Sequence, residues 1–103
     1  MPDYVTIDLI VKSLTADYNR RALAILRNEL PPRIIMEYRY YNTKIFNAVA
    51  EIVGEEVAED YISDIAESRG YSKNTNIYIS EKSYYRKKRA CKENIARSLN
   101  LIP

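Results

Sequence analysis

The chain has 103 residues, 47% of them hydrophobic and 29% charged, with a formal net charge of +2, which together fit a single folded domain. It has no histidine, two glycines and one cysteine, a composition that argues against an enzyme, a metal or cofactor site, a glycine-rich phosphate loop and an intramolecular disulfide. The start of the chain does not resemble a signal peptide, and no apolar run approaches the roughly 18 residues of a membrane span, so we expect a cytoplasmic protein without a membrane partner.

The N-terminal part, residues 1–31, is predicted to hold the first helices of a single helical domain covering residues 1–103. Because glycine and proline are scarce, we expect an all-α fold with four to five helices. Residues 4–11 are rich in β-branched side chains and also fit a strand. A helical apolar stripe favours the helix, and it consists of Ile7, Ile10, Val11 and Leu14.

A second helix is predicted to begin after Thr15, a candidate N-cap, with Asp17 in its first turn. It should end before the two prolines at 31–32, because the residue before a proline is pushed out of the helical region. Its apolar side is predicted to consist of Tyr18, Ala22, Ile25 and Leu26.

The most regular apolar pattern in the chain lies in residues 32–54, which are predicted to form a scaffold helix. Pro32 suits the first turn of a helix, and Gly54 is a natural stop. The stripe advances in steps of three and four residues and consists of Ile34, Tyr38, Tyr41, Ile45, Val49 and Ile52. Such a stripe is buried within one molecule more often than in a dimer interface, and a homodimer stays an alternative.

Residues 55–68 are predicted to form an acidic helix, because residues 55–67 include six acidic residues and no basic one. The first turns hold four of these carboxylates, where the helix dipole favours negative charge. We expect the helix to end at Gly70 and residues 71–79 to form a loop or a short extended piece. The buried side is predicted to consist of Val57, Tyr61 and Ile65, flanked by Ala58 and Ile62.

The last helix is predicted to run from the N-cap candidate Ser80 to about Asn100. Residues 82–97 include seven basic residues and a single acidic one, Glu93. Stepping the helix at about 100° per residue places one apolar sector inward. That sector consists of Tyr84, Cys91, Ile95, Leu99 and Ile102. The opposite side holds Lys82, Tyr85, Arg86, Arg89, Glu93 and Arg97, with Lys87, Lys88 and Lys92 on the flanks.

An exposed basic helix is what a protein needs to read DNA through the major groove, where arginine recognises guanine edges and lysine neutralises phosphates. Recognition helices read bases mainly with their N-terminal residues. We therefore predict DNA base contacts by Lys82, Ser83, Tyr85, Arg86 and Arg89. DNA phosphate contacts are predicted for Lys87, Lys88, Lys92 and Arg97. A basic run of this kind is also commonly a solvated face, or it pairs with an acidic helix of the same molecule.

The sequence ISEKSYYRKKRA at 79–90, followed by IARSLN at 95–100, resembles the C-terminal end of ArpU/RinA-type phage transcriptional regulators. The LPPR sequence at 30–33, with YRYY at 38–41, is similar to the preceding helix of that family. The resemblance implies a helix-turn-helix like that of sigma-factor region 4. It also implies a phage or prophage regulator in a bacterial host cell, with double-stranded DNA and RNA polymerase as partners.

On this interpretation, residues 55–103 form a helix-turn-helix-like DNA-binding unit in which 67–78 is an enlarged turn, because a standard turn has about 3–4 residues. A second class of function also fits. Ten tyrosines suit a protein-interaction surface, as in a small helical phage assembly, packaging or inhibitory protein. The two classes differ in one structural respect: an acidic helix that covered Arg86 and Arg89 would exclude DNA binding.

Overall fold

A computed structural model describes residues 3–71 and 79–103. Within these ranges there are five helices and no strand, so the predicted all-α fold with four to five helices is confirmed. The helices are α1 (Tyr4–Ala16), α2 (Tyr18–Arg27), α3 (Pro32–Val53), α4 (Glu55–Glu67) and α5 (Glu81–Ser98). None of the described helices has the length and apolar character that crossing a membrane requires.

Helix α1 includes residues 4–11, which by sequence also fitted a strand. It begins after Asp3, whose carboxylate accepts a hydrogen bond of 2.8 Å from the Thr6 N–H and so satisfies one of the open donors of the first turn. Of the predicted stripe, Ile7 and Val11 are buried, and Ile10 and Leu14 are half-buried. The stripe is therefore confirmed.

The prediction that Thr15 caps α2 is wrong, because Thr15 belongs to the last turn of α1. Its buried hydroxyl donates to the carbonyl oxygen of Val11 at 2.9 Å, a bond to the preceding turn that threonine makes readily inside a helix. Helix α2 instead begins after Asp17, whose side chain makes no capping bond and pairs with Arg20 at 3.3 Å.

The apolar side predicted for α2 is only partly correct. Tyr18 and Ile25 are half-buried, but Ala22 is exposed and Leu26 is 82% exposed. Helix α2 packs mainly against α3, and Leu26 lies outside its buried contacts.

The buried residue of α2 is Arg21. Its Nε donates to Asn42 Oδ1 at 2.7 Å, and its guanidinium also donates to the carbonyl oxygen of Leu14. Asn42 in turn donates from Nδ2 to the carbonyl oxygen of Tyr18 at 3.0 Å. Since two of the guanidinium nitrogens have acceptors, the charge is tolerated at this junction of α1, α2 and α3.

Helix α3 is the predicted scaffold helix and ends before Gly54, which has a φ of 89°. Ile45 and Val49 are fully buried, so this half of the predicted stripe packs inside the molecule rather than in a dimer interface. The remaining stripe residues are half-buried, namely Ile34, Tyr38, Tyr41 and Ile52.

Helix α4 has the predicted buried side, except that Val57 is half-buried. The helix ends at Glu67 rather than at Gly70, because Ser68 adopts the left-handed conformation with a φ of 55°. The Arg69 N–H then donates to the carbonyl oxygen of Asp64 at 2.9 Å and closes the helix end. Most of segment 71–79, predicted to be a loop or a short extended piece, lies outside the described residues.

The hydrophobic core is built from α1, the second half of α3, α4 and α5. Its fully or nearly fully buried side chains include Val11, Val49, Ile62, Tyr84 and Ile95. No residue from 19 to 44 takes part in this cluster. We call residues 19–44, which comprise most of α2 and the first part of α3, the α2–α3 arm.

Candidate nucleic-acid interface

Helix α5 begins as the sequence predicts. The Ser80 side chain accepts a hydrogen bond of 3.3 Å from the Ser83 N–H, which caps the helix. Ser83 is half-buried, whereas Lys82 next to it is exposed.

The inward sector of α5 is confirmed. Tyr84, Cys91 and Ile95 are fully buried, while Leu99 and Ile102 pack against the core as partly buried residues. This packing fixes which side of α5 faces the solvent.

The N-terminal half of α5 is attached to the C-terminal end of α4 by a buried polar contact. The Tyr84 hydroxyl donates to Asp64 Oδ2 at 2.5 Å, and Arg69 Nε lies 3.4 Å from Asp64 Oδ1. Burial, and then the hydrogen bond to Asp64, raise the pKa of Tyr84, so the hydroxyl keeps its proton. Sequence reasoning missed Asp64, although its position, about one turn after Tyr61 and next to Ile65, places it near the buried side of α4.

The solvent side of α5 carries a row of exposed basic residues, which we call the α5 ridge: Lys82, Arg86, Arg89 and Arg97. Among the described residues, no carboxylate forms an ion pair with Lys82 or Arg86. These two side chains lie near the helix N-terminus, where base readout was predicted, and both are open to a ligand.

Arg89 is less free than Arg86. Its Nε lies 3.5 Å from Glu93 Oε1, and its guanidinium lies 5.8 Å from the centre of the Tyr4 ring. The Tyr4 hydroxyl donates to the same Glu93 oxygen at 3.0 Å. The Arg89 side chain is nevertheless 74% exposed, so α1 restrains the guanidinium without covering it.

Two further residues that were predicted to contact DNA, Tyr85 and Lys88, make hydrogen bonds at the junction between α4 and α5. The Tyr85 hydroxyl accepts a hydrogen bond of 3.2 Å from the Tyr71 N–H, and Lys88 Nζ donates to the carbonyl oxygen of Arg69 at 2.6 Å. Partial burial, together with the charge of Lys92, lowers the pKa of Lys88. Their DNA contacts stay predictions, and Tyr85 is still 45% exposed.

The remaining predicted phosphate contacts lie along the flanks and at the far end of α5. Lys87 and Lys92 are half-buried, as expected for lysines whose stems cover apolar surface while their ammonium groups stay in water. Arg97 is exposed and donates from Nε to the carbonyl oxygen of Pro103 at 3.2 Å.

The acidic end of α4 points away from the contact with α5. Helix α4 meets α5 through Asp64, near its C-terminal end. Glu55 and Glu56 are exposed at its N-terminal end, about 13 Å further along the axis at 1.5 Å per residue. Within the described part of the chain, the carboxylate that pairs with Arg89 belongs to α5 itself, and none pairs with Arg86.

A groove of about 740 Å³ separates α1 from α5 beside Arg89. Its walls carry both signs of charge, with Asp8 and Glu93 near Lys88 and Lys92. This mixture gives the groove no clear preference for a ligand of either charge.

The side chains outside the ridge offer no other evident chemistry. Residues 3–71 and 79–103 contain no group of three or more histidine, cysteine or acidic side chains arranged to hold a metal ion. Cys91 is buried, and burial raises the pKa of its thiol to about 12, which keeps the sulfur protonated and unreactive at neutral pH.

Comparison with protein-family models finds no match to this chain, and no curated protein and no solved structure matches it either. The function of the protein is therefore inferred from the residues of the chain alone.

Proposed function

We propose that the protein is a DNA-binding transcriptional regulator of phage or prophage origin that reads the major groove with α5. The observation that carries this proposal is the position of Lys82 and Arg86, which are exposed and without a carboxylate partner among the described residues. They lie on the solvent side of a helix whose opposite side is fixed in the core by Tyr84 and Ile95. A rigid helix that presents a free guanidinium near its N-terminus suits readout of a guanine edge.

Within this proposal, Arg86 is the main base-reading residue. Lys82 and Ser83 flank it at the start of the helix, and Tyr85 and Arg89 contribute from positions already set by Tyr71 and Tyr4. Such restraint lowers the entropy that a side chain loses on binding. Phosphate contacts fall to Lys87, Lys88, Lys92 and Arg97, which supply affinity independent of sequence.

Helices α4 and α5 act in this proposal as the two members of a helix-turn-helix-like unit with an enlarged turn. Two contacts support it: Tyr84 joins α5 to Asp64 of α4, and the Tyr71 hydroxyl donates to the carbonyl oxygen of Ile79 at 2.5 Å. The second contact holds together the two ends of the connection. The protein would work in the bacterial cytoplasm, meet RNA polymerase at promoters and bind DNA as a homodimer, because symmetric pairing doubles a short footprint.

A second candidate is a small phage assembly, packaging or inhibitory protein that acts through protein contacts. The exposed apolar side chains of the α2–α3 arm favour it, since Leu26 is 82% exposed and Met36 is 71% exposed. Apolar surface of this kind commonly marks a contact with another protein. Among the described residues, no carboxylate of α4 forms an ion pair with Arg86, and this favours DNA binding over this candidate.

The proposal is tested by comparing Arg86→Ala, Arg86→Lys and a control in binding to a pool of mixed-sequence DNA duplexes. Lys12→Ala is a suitable control, because it removes one positive charge from an exposed position on α1. Arg86→Ala should weaken binding by roughly 5- to 150-fold, which corresponds to the roughly 1–3 kcal/mol of one bidentate base contact. Arg86→Lys should keep much of the non-specific affinity and lose selection among sequences. Equal effects of Arg86→Ala and Lys12→Ala would contradict base readout by Arg86.

A further inference from the structure

The basic residues of the chain are concentrated in two segments. The α2–α3 arm, residues 19–44, has six basic and two acidic residues, and residues 82–97 have seven basic and one acidic. All other positions together have three basic and eleven acidic residues. The net charge of the chain is thus close to zero because two positive segments offset a strongly negative rest of the chain. The proposed DNA-binding helix is only one of these two segments.

The arm lies outside the main hydrophobic cluster, although its residue Ile35 is buried. None of its side chains belongs to the buried cluster, and α2 packs mainly against α3. Its base is fixed by the buried hydrogen bonds of Arg21 with Asn42 and with the carbonyl oxygen of Leu14. A two-helix element that is firmly attached, yet adds no side chain to the main hydrophobic cluster, is available for contact with another molecule.

The cations of the arm other than Arg21 are exposed, and they are arranged in rows. Arg20 and Arg27 are seven residues apart and share one side of α2, while Arg33 and Lys44 are eleven residues apart and share one side of α3. Arg39 is exposed as well.

Few of these cations form an ion pair with a carboxylate within the described part of the chain. Arg20 pairs with Asp17, and no carboxylate forms an ion pair with Arg27, Arg33 or Lys44. Lys44 lies instead over the Tyr40 ring at 5.7 Å, as Arg20 lies over Tyr38 at the same distance. Cations held on aromatic rings keep their full charge and lose less side-chain freedom when an anion arrives.

We propose that the α2–α3 arm is a second DNA-contacting element, which binds backbone phosphates of the duplex that α5 reads. This inference rests on the proposed function of α5. Phosphate is the appropriate class of ligand because the arm offers separate exposed cations, an arrangement that neutralises a charged polymer without reading bases.

A second copy of the chain is the other partner to consider for the arm, because Leu26 and Met36 are exposed. A two-fold contact between two arms would bring two elements of net charge +4 together. Like charges placed opposite each other at an interface oppose association. The charge of the arm thus favours DNA over self-association.

The test compares wild type with Arg33→Gln/Lys44→Gln, which removes both charges from one side of α3. The charge-retaining control is Arg33→Lys/Lys44→Arg, and Arg86→Ala serves as the α5 reference. Binding to a mixed-sequence duplex is measured by fluorescence anisotropy across a series of salt concentrations. The slope of log affinity against log salt should become shallower by about 2 in the glutamine variant, because each phosphate contact contributes about 0.9. The control should keep the wild-type slope.

The possible outcomes distinguish a failure of this inference from a failure of the function proposed for α5. A wild-type slope in the glutamine variant, with binding weakened by Arg86→Ala, would overturn the role of the arm and leave α5 as the reader. Binding weakened by the glutamine variant alone would support the arm and overturn the proposal for α5. Absence of binding by wild type would overturn both. Sedimentation of the same proteins gives an independent measure, and a change of oligomeric state in the glutamine variant would overturn the arm's role by pointing to self-association.

Discussion

The Tyr84 hydroxyl donates to Asp64 Oδ2 at 2.5 Å inside the core and so joins the candidate DNA-reading helix to α4. The Tyr84 ring also lies 5.4 Å from the Tyr61 ring and 5.6 Å from the Tyr71 ring, measured between centroids. The orientation of α5 depends on this contact, because Tyr84 is the first buried residue of the helix.

Replacing Tyr84 with phenylalanine should lower the free energy of unfolding by about 1–3 kcal/mol. The substitution keeps the ring but leaves a buried carboxylate with one donor fewer, and the cost is the desolvation of that acceptor. Urea denaturation measures the change. Tyr40→Phe is the matched control, because Tyr40 is exposed on the α2–α3 arm, and it should change stability by less than about 0.5 kcal/mol. Equal stabilities of the two variants would contradict the role given to the Tyr84 hydroxyl.

Tyr61→Phe should be neutral or stabilising at pH 7, in contrast to Tyr84→Phe. The Tyr61 hydroxyl is buried and has no hydrogen-bond partner among the described residues, so removing it abolishes an unsatisfied polar group while the ring stays packed. Urea denaturation of wild type and Tyr61→Phe measures the change in the free energy of unfolding. A loss of more than about 1 kcal/mol would show that the hydroxyl has a partner in solution.

Stability should begin to fall above pH 9, where the Cys91 thiol ionises in the unfolded chain but not in the folded protein, and should fall more steeply above pH 10. Burial raises the pKa of Tyr61 from 10.0 to about 12, and it raises that of Tyr84 as well. Both groups ionise in the unfolded chain before they ionise in the folded protein. The contribution of the two protonated tyrosines to the free energy of unfolding is thus complete below pH 10. It is lost between pH 10 and the folded-state pKa values, by up to about 1.4 kcal/mol per pH unit for each group.

Urea denaturation at pH 8 and at pH 11 measures this loss, and Tyr61→Phe identifies one of its sources. The variant should lose less stability than wild type over this interval, because one of the two tyrosines no longer titrates. An identical loss in both proteins would contradict the assignment to Tyr61.

Gly70→Ala should disturb the contact between Gly70 and Tyr85. A Cβ at this position would lie 2.8 Å from the Tyr85 hydroxyl oxygen, so the ring must move and its bond from the Tyr71 N–H is lost. The expected cost is about 0.5–1.5 kcal/mol, the net contribution of one hydrogen bond. In a Tyr85→Ala background the same substitution should cost little. A double-mutant cycle without coupling would contradict the contact.

The helices themselves were largely predictable, since their apolar periodicity is a local property of the sequence. Periodicity and capping residues correctly placed the start of α5 at Ser80 and its inward sector at Tyr84, Cys91 and Ile95. The same kind of signal failed at Thr15, because a threonine that caps a helix and a threonine that bonds to the preceding turn look alike in sequence. Leu26 was assigned to a buried face, although no helix covers it.

The residues that contact the site residues could not be predicted from the sequence, because they come from distant parts of the chain. Arg89 meets Tyr4 of α1, and Lys88 donates to the carbonyl oxygen of Arg69. The burial of Arg21 depends on Asn42, twenty-one positions further along the chain. Stepping α5 around its axis identified which residues are exposed, whereas only the packing of the other helices distinguishes the unpaired Arg86 from the restrained Arg89.

The most direct test of the central claim is the binding of fluorescent mixed-sequence duplex DNA at two salt concentrations, by wild type and by Arg86→Ala/Arg89→Ala. DNA binding through the α5 ridge predicts that wild type binds at low salt and weakens steeply at higher salt, and that the double variant binds far more weakly at both. Equal binding by the two proteins, or no binding by wild type even at low salt, would contradict it.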